Sequence, residues 1–330
     1  MEVDRRESVE LGDSTQWIRT RATRAGHPPL LLVQMGPGLP MLNEAPAFER
    51  RLALERDFTV VYWDQRGCGR SLRSAAALSL PAMIDDTERL LTILGDRFGR
   101  PPVVAGFSMG ATISAYAAAR RPDLVAALVT VGMDIDGPAI EENTYRFALD
   151  TARSRNNRRA VRQLEAIGPP PHLRPEQFAT RGRWDMNFGG VRVGHTYASL
   201  ARNLVTSLVR SPDYSPADIV RTIRGATAAQ AALLPELATL DLPNTLTELK
   251  TPVVMVQGRL DQVAPPATAE RYAELLQAPS KRLVWFEHSA HMAHFEEPSR
   301  FREVLDQVRL SGPRPAGGGG SAAPPRRSGG

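Results

Sequence analysis

A serine between two glycines is the residue of this sequence best placed for nucleophilic chemistry. The segment Gly106-Phe107-Ser108-Met109-Gly110 follows a short apolar run and opens an alanine-rich stretch of high helix propensity. A sharp turn from strand to helix needs small residues two positions either side of its apex, because a Cβ there would collide with neighbouring backbone. The pattern therefore predicts a nucleophile elbow with Ser108 at its apex.

A serine hydroxyl is a poor nucleophile at neutral pH, so it needs an imidazole to accept its proton and a carboxylate to orient that imidazole. With the serine first in the chain, the acid and then the base are expected further along, at the ends of later strands. Asp261 follows the apolar run 253–256, and His291 follows the run 283–286. We therefore predict that Ser108, Asp261 and His291 form a catalytic triad.

Other residues compete for two of these roles. Asp134 and Asp136 follow an earlier apolar run and are the alternative acids, ranked behind Asp261. His288 and His294 flank the predicted base, and both are expected to be surface or loop histidines.

The same chemistry needs two backbone N–H groups that point at the oxyanion of a tetrahedral intermediate. Met109 comes directly after the predicted nucleophile and is expected to supply one of them. The second is expected from Gly36 in the loop Gln34-Met35-Gly36-Pro37-Gly38, whose glycines allow backbone to approach a substrate closely. Gly36 and Met109 are therefore the predicted oxyanion hole.

The elements that must position these groups follow from six short apolar runs, bounded by glycine, proline or charge and rich in β-branched residues. These runs are residues 30–33, 58–63, 103–105, 127–131, 253–256 and 283–286. They alternate with longer helix-patterned stretches, as expected for parallel strands that helices bury on both faces. We predict an α/β fold with a mostly parallel central sheet flanked by helices.

The gap between the fourth and fifth runs is too long for one crossover helix and carries helical patterns only. Tyr145, Ala148, Leu149 and Ala152, for example, share one helical face. We predict a helical cap over residues 136–247, inserted between two parts of the core, residues 1–135 and 248–311. Residues 312–330 contain no large apolar side chain and are expected to form a disordered tail.

Composition argues against several classes of protein. The 330 residues carry a formal charge of +5, of which residues 312–330 contribute three arginines. The arginines are scattered among carboxylates, so no nucleic-acid partner is indicated. No apolar run approaches the roughly 20 residues that span a bilayer, and the charged N-terminal residues do not resemble a signal peptide. We expect a cytoplasmic protein without a membrane partner; its oligomeric state is not indicated.

The segment Asp64-Gln65-Arg66-Gly67-Cys68-Gly69-Arg70-Ser71 is the most specific feature outside the elbow. Its glycines and charges suit a tight loop in which Asp64 and Arg66 hydrogen-bond neighbouring backbone, while Cys68 is expected to be a small buried residue. With Gly36-Pro37-Gly38 and the predicted cap, this segment makes the chain resemble the α/β-hydrolase superfamily, and within it the prolyl aminopeptidase (proline iminopeptidase) family, over residues 16–310. The resemblance implies the same triad and the same oxyanion donors.

Two departures from that family's pattern bear on the substrate. The family's His-Gly-Gly-Pro-Gly loop is Gln34-Met35-Gly36-Pro37-Gly38 here, and its Gly-Gly-Ser-Trp-Gly elbow is Gly106-Phe107-Ser108-Met109-Gly110. The predicted substrate-pocket residues are Met35, Phe107, Trp184 and Phe188. The family also recognises a free N-terminal amine with glutamates of the cap, for which the candidates are Glu141, Glu142, Glu165, Glu176 and Asp185.

These features predict a serine hydrolase, without a metal or cofactor, that forms an acyl-enzyme on a small amide or ester substrate. The resemblance implies an aminopeptidase acting on a short peptide. The alternative of the same class is an esterase or lactonase for a hydrophobic small molecule, and that of another class is a non-catalytic small-molecule-binding protein on the same scaffold. An acidic pocket wall would favour an amine-recognising peptidase, and an apolar wall an esterase or lactonase.

Overall fold

A single mixed sheet organises the molecule in the computed structural model, which describes residues 1–73 and 77–311. Its strands are β1 (Val3–Leu11), β2 (Ser14–Ala22), β3 (Pro29–Val33), β4 (Thr59–Asp64), β5 (Val103–Phe107), β6 (Ala127–Val131), β7 (Val253–Gly258) and β8 (Lys281–Phe286). The tail predicted over residues 312–330 lies outside the described residues.

Helices connect these strands and lie against both faces of the sheet. They are α1 (Ala45–Leu52), α2 (Leu80–Phe98), α3 (Met109–Arg120), α4 (Gly137–Ser154), α5 (Arg158–Ile167), α6 (Pro175–Phe188), α7 (Tyr197–Arg210), α8 (Pro216–Ala238), α9 (Leu242–Thr245), α10 (Pro266–Leu275), α11 (Ala293–Glu296) and α12 (Pro298–Ser311). In the described part of the chain, no helix is both long enough and apolar enough to cross a membrane.

The strands lie in the order β1-β2-β4-β3-β5-β6-β7-β8. The β1/β2 and β2/β4 pairs are antiparallel, and every other pair in the sheet is parallel. The six apolar runs in the sequence correspond to β3 through β8. The predicted α/β fold with a mostly parallel central sheet is therefore confirmed.

The hairpin of β1 and β2 was not among the predicted strands. The buried apolar side chains of β1 are those of Val9 and Leu11, near its end. Charged residues occupy most of the other positions. Gly12 takes a positive φ of 68° in the turn between the two strands. A strand at the edge of a sheet, largely exposed on one face, carries too few apolar residues to stand out in the sequence.

The sheet separates two apolar cores, because successive residues of a strand face opposite sides. Leu31 and Val33 of β3 pack towards α2, α3 and α10. Leu30 and Leu32 of the same strand pack towards α1 and α12. All four side chains are fully buried, which explains why the strand is a continuous apolar run.

Parallel pairing brings the ends of four neighbouring strands to one edge. The carboxyl ends of β5, β6, β7 and β8 lie side by side, so the loops that follow them meet there. Ser108 follows β5, Asp134 follows β6, Asp261 follows β7 and His291 lies beyond β8. Parallel sheets commonly form their ligand sites at this edge.

Helices α4 to α9 lie between β6 and β7, and we call residues 136–247 the helical insertion. Helices α4, α5 and α6 share a small apolar core of their own around Ala148, Ala152 and Leu164. Prolines and capping side chains start several of these helices; Asp136, for instance, accepts a hydrogen bond from the Ala139 N–H. The predicted division of the chain into core, cap and tail stays a prediction.

Candidate active site

The turn at Ser108 has the backbone strain expected of a nucleophile elbow. Ser108 has φ 51° and ψ −126°, a conformation rare for a residue with a Cβ. A Cβ on Gly106 would lie 2.5 Å from the Ala111 Cα, and one on Gly110 would lie 2.4 Å from the Gln34 carbonyl oxygen. Both glycines are therefore required for β5, the turn and α3 to pack closely.

Asp261 and His291 form a buried pair at the same edge of the sheet. His291 Nδ1 lies 2.9 Å from Asp261 Oδ2, and both side chains are almost fully buried. Asp261 Oδ1 accepts hydrogen bonds from the Val263 and Ala264 N–H groups, each 2.9 Å long. Fixed on both oxygens, the carboxylate can orient the imidazole, as the base of an acyl-transfer site requires.

Gly132 leaves space for the Asp261 and His291 side chains, a role that was not predicted from the sequence. It takes φ 53° directly after β6, and a Cβ there would lie 2.9 Å from His291 Nδ1 and 3.1 Å from Asp261 Oδ2. Its signal in the sequence is a glycine immediately after an apolar run. That signal is weak, because a glycine ends many strands for other reasons.

Charge around His291 controls its protonation. Burial alone would lower the pKa of His291, but the charge and hydrogen bond of Asp261, with the charges of Asp134 and Asp185, outweigh burial and raise the pKa to about 9. A positive imidazolium is thus stabilised by three carboxyl groups. A ligand cation close to these carboxylates would reduce that effect and favour the neutral imidazole.

Asp134 contacts the candidate nucleophile itself. Ser108 Oγ donates a hydrogen bond of 3.1 Å to Asp134 Oδ1. Burial raises the pKa of Asp134 to about 6, although the His291 charge and the Ser108 hydrogen bond both act to lower it. The sequence had placed Asp134 as an alternative acid; the structure pairs Asp261 with His291 and places Asp134 beside Ser108.

Asp185, on α6, brings a third carboxyl group towards the pair. Its side chain is 1% exposed, and neither carboxyl oxygen has a hydrogen-bond partner among the described residues. Burial and the charge of Asp261 raise the pKa of Asp185 to about 7, against the lowering effects of His291 and Arg181. A buried carboxyl group without a donor is costly in a folded protein, which makes Asp185 a candidate ligand-binding residue.

The predicted oxyanion donors lie next to one another. A Cβ on Gly36 would approach the Met109 side chain to 2.0 Å, so the loop passes directly over the elbow. Neither the Gly36 N–H nor the Met109 N–H has an acceptor within the described chain. Gln34 fixes the loop, because its side chain accepts from the Met35 N–H and donates to the Pro40 carbonyl. The oxyanion role stays a prediction.

Two aromatic residues near the elbow belong to the core. The ring of Phe107 is 1% exposed and packs against Phe48, Phe301 and His294, at centroid distances of 5.9, 6.1 and 4.3 Å. Phe107 is therefore a core residue behind the elbow, a correction to its prediction as a pocket residue, because its side chain points opposite to the turn. His294 was also wrongly expected at the surface; burial lowers its pKa to about 3, with His291 and Arg192 adding to the effect.

The other predicted pocket residues are distributed between two cores. Trp184 is 8% exposed, donates a hydrogen bond to Gln163 Oε1 and stacks on Phe188 at 5.6 Å. Both rings belong to the apolar core of the helical insertion, and their role in lining a substrate pocket stays a prediction. Met35 packs, partly buried, against the core on the α1 and α12 side.

The five acidic candidates for amine recognition separate by burial. Glu142, Glu165 and Glu176 are exposed. Glu141 is buried but already paired, since it forms an ion pair with Arg181 and accepts a 2.7 Å hydrogen bond from the His172 N–H. Of the five, Asp185 is the one that combines burial with an electrostatic effect on His291.

The helical insertion is tied to the loops that carry Asp261 and His291. The Gln262 carbonyl accepts a hydrogen bond from Asn143 Nδ2 at 2.8 Å and a second, 3.0 Å long, from Thr144 Oγ1, whose single proton is shared with the Ile140 carbonyl at 2.7 Å. The Met292 N–H donates to the Val191 carbonyl at 3.2 Å. We call these three bonds the insertion contacts; they join the residues next to Asp261 and His291 to α4 and to the segment after α6.

The residues of the loop after β4 have the structural roles expected from the sequence. Asp64 is fully buried and accepts hydrogen bonds from backbone, and Cys68 is 2% exposed. Arg66 donates to Ala77 O and forms ion pairs with Asp86 and Asp13. In the described ranges, no group of three or more His, Cys, Asp or Glu side chains is arranged to hold a metal ion.

Comparison with known proteins assigns the class. The family described as alpha/beta hydrolase fold matches residues 28–298, most of the chain, and the chain belongs to that family. The probable aminopeptidase YbaC of Bacillus subtilis (strain 168) is 26% identical over 304 residues, which cover 91% of this chain and 94% of that protein. The proline iminopeptidase of Heyndrickxia coagulans is 24% identical over 295 residues, covering 85% and 90%.

A solved structure agrees with these sequence relatives. The proline iminopeptidase of Mycobacterium smegmatis superposes with a TM-score of 0.64 at 21% identity, over 93% of this chain and 99% of that one. At this identity the likeness shows the fold. The resemblance predicted from the sequence, to α/β hydrolases and within them to proline iminopeptidases, is confirmed by these matches, and the chain is an α/β hydrolase with aminopeptidase-like relatives.

Proposed function

We propose that this protein is a serine aminopeptidase that hydrolyses the first amide bond of a short peptide bearing a free N-terminal amine. The observation that carries the proposal is the acidic environment of Ser108 and His291. Asp134 contacts Ser108 Oγ, and the buried Asp185 has no partner for its carboxyl oxygens among the described residues. A substrate ammonium group would supply a positive charge to both carboxyl groups and the N–H donors that Asp185 lacks.

In the proposed reaction, each of these side chains has a defined role. His291 accepts the Ser108 proton while Ser108 Oγ attacks the carbonyl carbon, and Asp261 stabilises the imidazolium that forms. The N–H groups of Met109 and Gly36 bind the oxyanion. His291 then gives the proton to the leaving amine as the C–N bond breaks, which leaves an ester on Ser108. A water molecule, deprotonated by His291, hydrolyses that ester and regenerates the hydroxyl.

Substrate charge and base strength are coupled in this proposal. Burial lowers the pKa of His291, but Asp261 above all raises it, to about 9, and the charges of Asp134 and Asp185, which would bind an ammonium group, add to that rise. An ammonium group at Asp134 and Asp185 would offset their effect on the imidazole and lower its pKa towards neutrality. The base would therefore be most effective when a cationic substrate is bound.

The nucleophile is tested by removing its oxygen. Changing Ser108→Ala is expected to abolish hydrolysis of proline anilide, a loss of at least about 1000-fold, because no acyl-enzyme can form. Ser114→Ala is the matched control: Ser114 is a buried serine of α3 whose hydroxyl donates to the Gly110 carbonyl. That variant is expected to keep activity within a few-fold. Full activity of the Ser108→Ala variant would overturn the proposal.

Two further assays separate the alternatives. Paired kinetics with proline anilide and a short acyl ester distinguish an aminopeptidase from an esterase or lactonase; a strong preference for the ester would contradict amine recognition. Labelling with a fluorophosphonate probe distinguishes an enzyme from a non-catalytic binding protein. We expect covalent labelling at Ser108 that the Ser108→Ala variant loses.

A further inference from the structure

The hydroxyl of Ser108 is engaged with a carboxylate other than the one that orients the base. Its hydrogen bond runs to Asp134 Oδ1 at 3.1 Å. The hydrogen bond that His291 makes within the described chain runs from Nδ1 to Asp261. In this arrangement the base is oriented, but the proton that it must accept points to Asp134.

Asp134 is held firmly in that position. Thr112 Oγ1, on the first turn of α3, donates a 2.6 Å hydrogen bond to the Asp134 backbone carbonyl. Gly132 on one side has its N–H bonded to the Val256 carbonyl, and Asp136 on the other caps α4. The segment after β6 is thus fixed at both ends, and Asp134 is partly buried beside Ser108.

We propose that Asp134 is a positioning residue that holds the Ser108 hydroxyl away from His291 until the ammonium group of a substrate binds Asp134 and releases it. This latch rests on the proposed function, since it assigns a task to the amine that the aminopeptidase would recognise. An ammonium group offers three donors and a full charge, so it competes effectively with a neutral hydroxyl for the carboxylate.

In the proposed latch, release is a rotation of the Ser108 side chain. Serine has one side-chain torsion with three staggered positions, and moving between them displaces Oγ without disturbing the backbone of the turn. Once the ammonium group occupies Asp134, the hydroxyl loses its acceptor and can donate to the free imidazole nitrogen of His291. No bond is made or broken in this step; one hydrogen bond replaces another.

The latch predicts opposite effects of one variant on two reactions. Asp134→Ala removes the acceptor, so labelling of Ser108 by a neutral fluorophosphonate, which has no amine, is expected to rise by about ten-fold, the size of a lost hydrogen bond to a charged group. The same variant loses the amine site, so kcat/KM for proline anilide is expected to fall by about ten-fold or more, chiefly through KM. A merely structural role would lower both.

A second variant tests the hydrogen-bond acceptor at position 134 separately from the negative charge there. Asp134→Asn keeps an oxygen that accepts from Ser108 but carries no charge, so labelling is expected to stay within about three-fold of the wild type while KM for proline anilide rises. Asp150→Asn, which removes an exposed carboxylate on α4, is the control for net charge and is expected to change neither reaction.

The outcomes of these experiments distinguish failure of the latch from failure of the proposed function. An Asp134→Ala variant whose labelling rate is unchanged or lower, with a wild-type circular dichroism spectrum, overturns the latch even if the wild type hydrolyses proline anilide. If the Asp134→Ala variant does not fold, the Asp134→Asn variant decides. The latch is overturned if the labelling rate of Asp134→Asn rises by the same factor by which its hydrolysis of proline anilide falls. If the probe labels neither the wild type nor the Asp134→Ala variant, and neither hydrolyses proline anilide, the proposed function is overturned and the latch fails with it.

Discussion

Three carboxyl groups near one imidazole differ in what they contact. Asp261 is fully satisfied, by two backbone N–H groups, Gln257 and His291. Asp134 accepts from Ser108, and Asp185 has no donor for its carboxyl oxygens in the described part of the chain. Burial without a donor destabilises an ionised group. An ionised Asp185 should therefore favour binding of a cation but destabilise the free protein, and these two effects conflict.

That conflict gives a pH-dependent prediction for Asp185→Asn. The pKa of Asp185 is raised from 3.8 to about 7 by burial, so the fold favours the protonated form. Below about pH 4 the carboxyl is protonated in folded and unfolded protein, and the variant and wild type should unfold alike. Between about pH 4 and 7 the unfolded chain ionises first, so the wild type loses stability relative to the variant by an amount on the order of a few kcal/mol.

Thermal unfolding at pH 4 and at pH 8 measures this difference. The variant is expected to have the higher Tm at pH 8 only, while its kcat/KM for proline anilide falls. Asp150→Asn serves as the control, because that carboxylate is exposed. A variant less stable than the wild type at pH 8 would show that Asp185 is satisfied in solution.

A second residue-scale prediction concerns the space that Gly132 leaves for the Asp261 and His291 pair. In Gly132→Ala the new methyl group would lie 2.9 Å from His291 Nδ1, so the imidazole must move and kcat should fall by about ten-fold or more. The matched control is Gly99→Ala: Gly99 also has a positive φ, of 65°, in a left-handed conformation, but a Cβ there has nothing within 4 Å.

Both alanine variants should lose about 1 kcal/mol of stability from the left-handed backbone. Only Gly132→Ala should lose activity, and steady-state kinetics beside urea unfolding separate the two effects. Equal loss of activity in both variants would mean that backbone strain, and not contact with the imidazole, sets the outcome.

Some features of the candidate site could be predicted from the sequence and others could not. Ser108, Asp261 and His291 could be placed because motif spacing and chain order fix which strand end each follows. The Asp134 contact could not, since it depends on a side-chain torsion that no spacing encodes. Phe107 was assigned to the wrong place because its neighbour Ser108 faces the site, although adjacent side chains at a strand end point to opposite faces.

At the scale of elements, Asp64 at the end of β4 joins three separate segments. Its oxygens accept from the Met41 N–H at 2.8 Å, the Arg70 N–H at 2.9 Å and the Tyr214 hydroxyl at 2.6 Å. Burial raises the pKa of Asp64, while these donors act to lower it. The loop after β3, the loop after β4 and the approach to α8 are therefore held by one carboxylate.

Substitutions at this junction should differ in cost. Tyr214→Phe removes one hydrogen bond and is expected to cost about 1 kcal/mol. Asp64→Ala leaves several buried donors without an acceptor and is expected to cost about 3–5 kcal/mol. Urea unfolding measures both. If Asp64→Ala cost no more than Tyr214→Phe, water would have to replace the carboxylate at this junction.

Elements were predictable where burial on both faces makes the sequence distinctive. The continuous apolar runs of β3 through β8 identify the buried strands, and helical periodicity identified the long insertion between β6 and β7. The hairpin of β1 and β2 was not predicted, because its side chains form ion pairs. Arg19 pairs with Asp4 across the hairpin and with Asp213 near α8. Charged surface residues carry no period that reveals a strand.

For the whole molecule, the insertion contacts connect the helical insertion to the candidate triad. Asn143→Ala combined with Thr144→Val removes both side-chain donors to the Gln262 carbonyl, next to Asp261. We expect kcat/KM to fall by about ten-fold because the loop is less firmly held, with Tm lowered by only a few degrees.

Asn244→Ala is the control for that double variant, because in the described residues the Asn244 amide donates only to Asp241, the residue that precedes its own short helix. Kinetics and thermal unfolding of both proteins complete the measurement. Unchanged kinetics in the double variant would show that the loop keeps its geometry without these donors.

The insertion contacts also bear on how a substrate can enter. Any movement that lifts the helical insertion from the sheet edge must break the bonds to Gln262 and Met292, the immediate neighbours of Asp261 and His291. Such a movement would leave the loops that carry the candidate acid and base less firmly held. Hydrolysis would then be slower in an open molecule than in a closed one, so enclosure of the substrate would itself contribute to the rate.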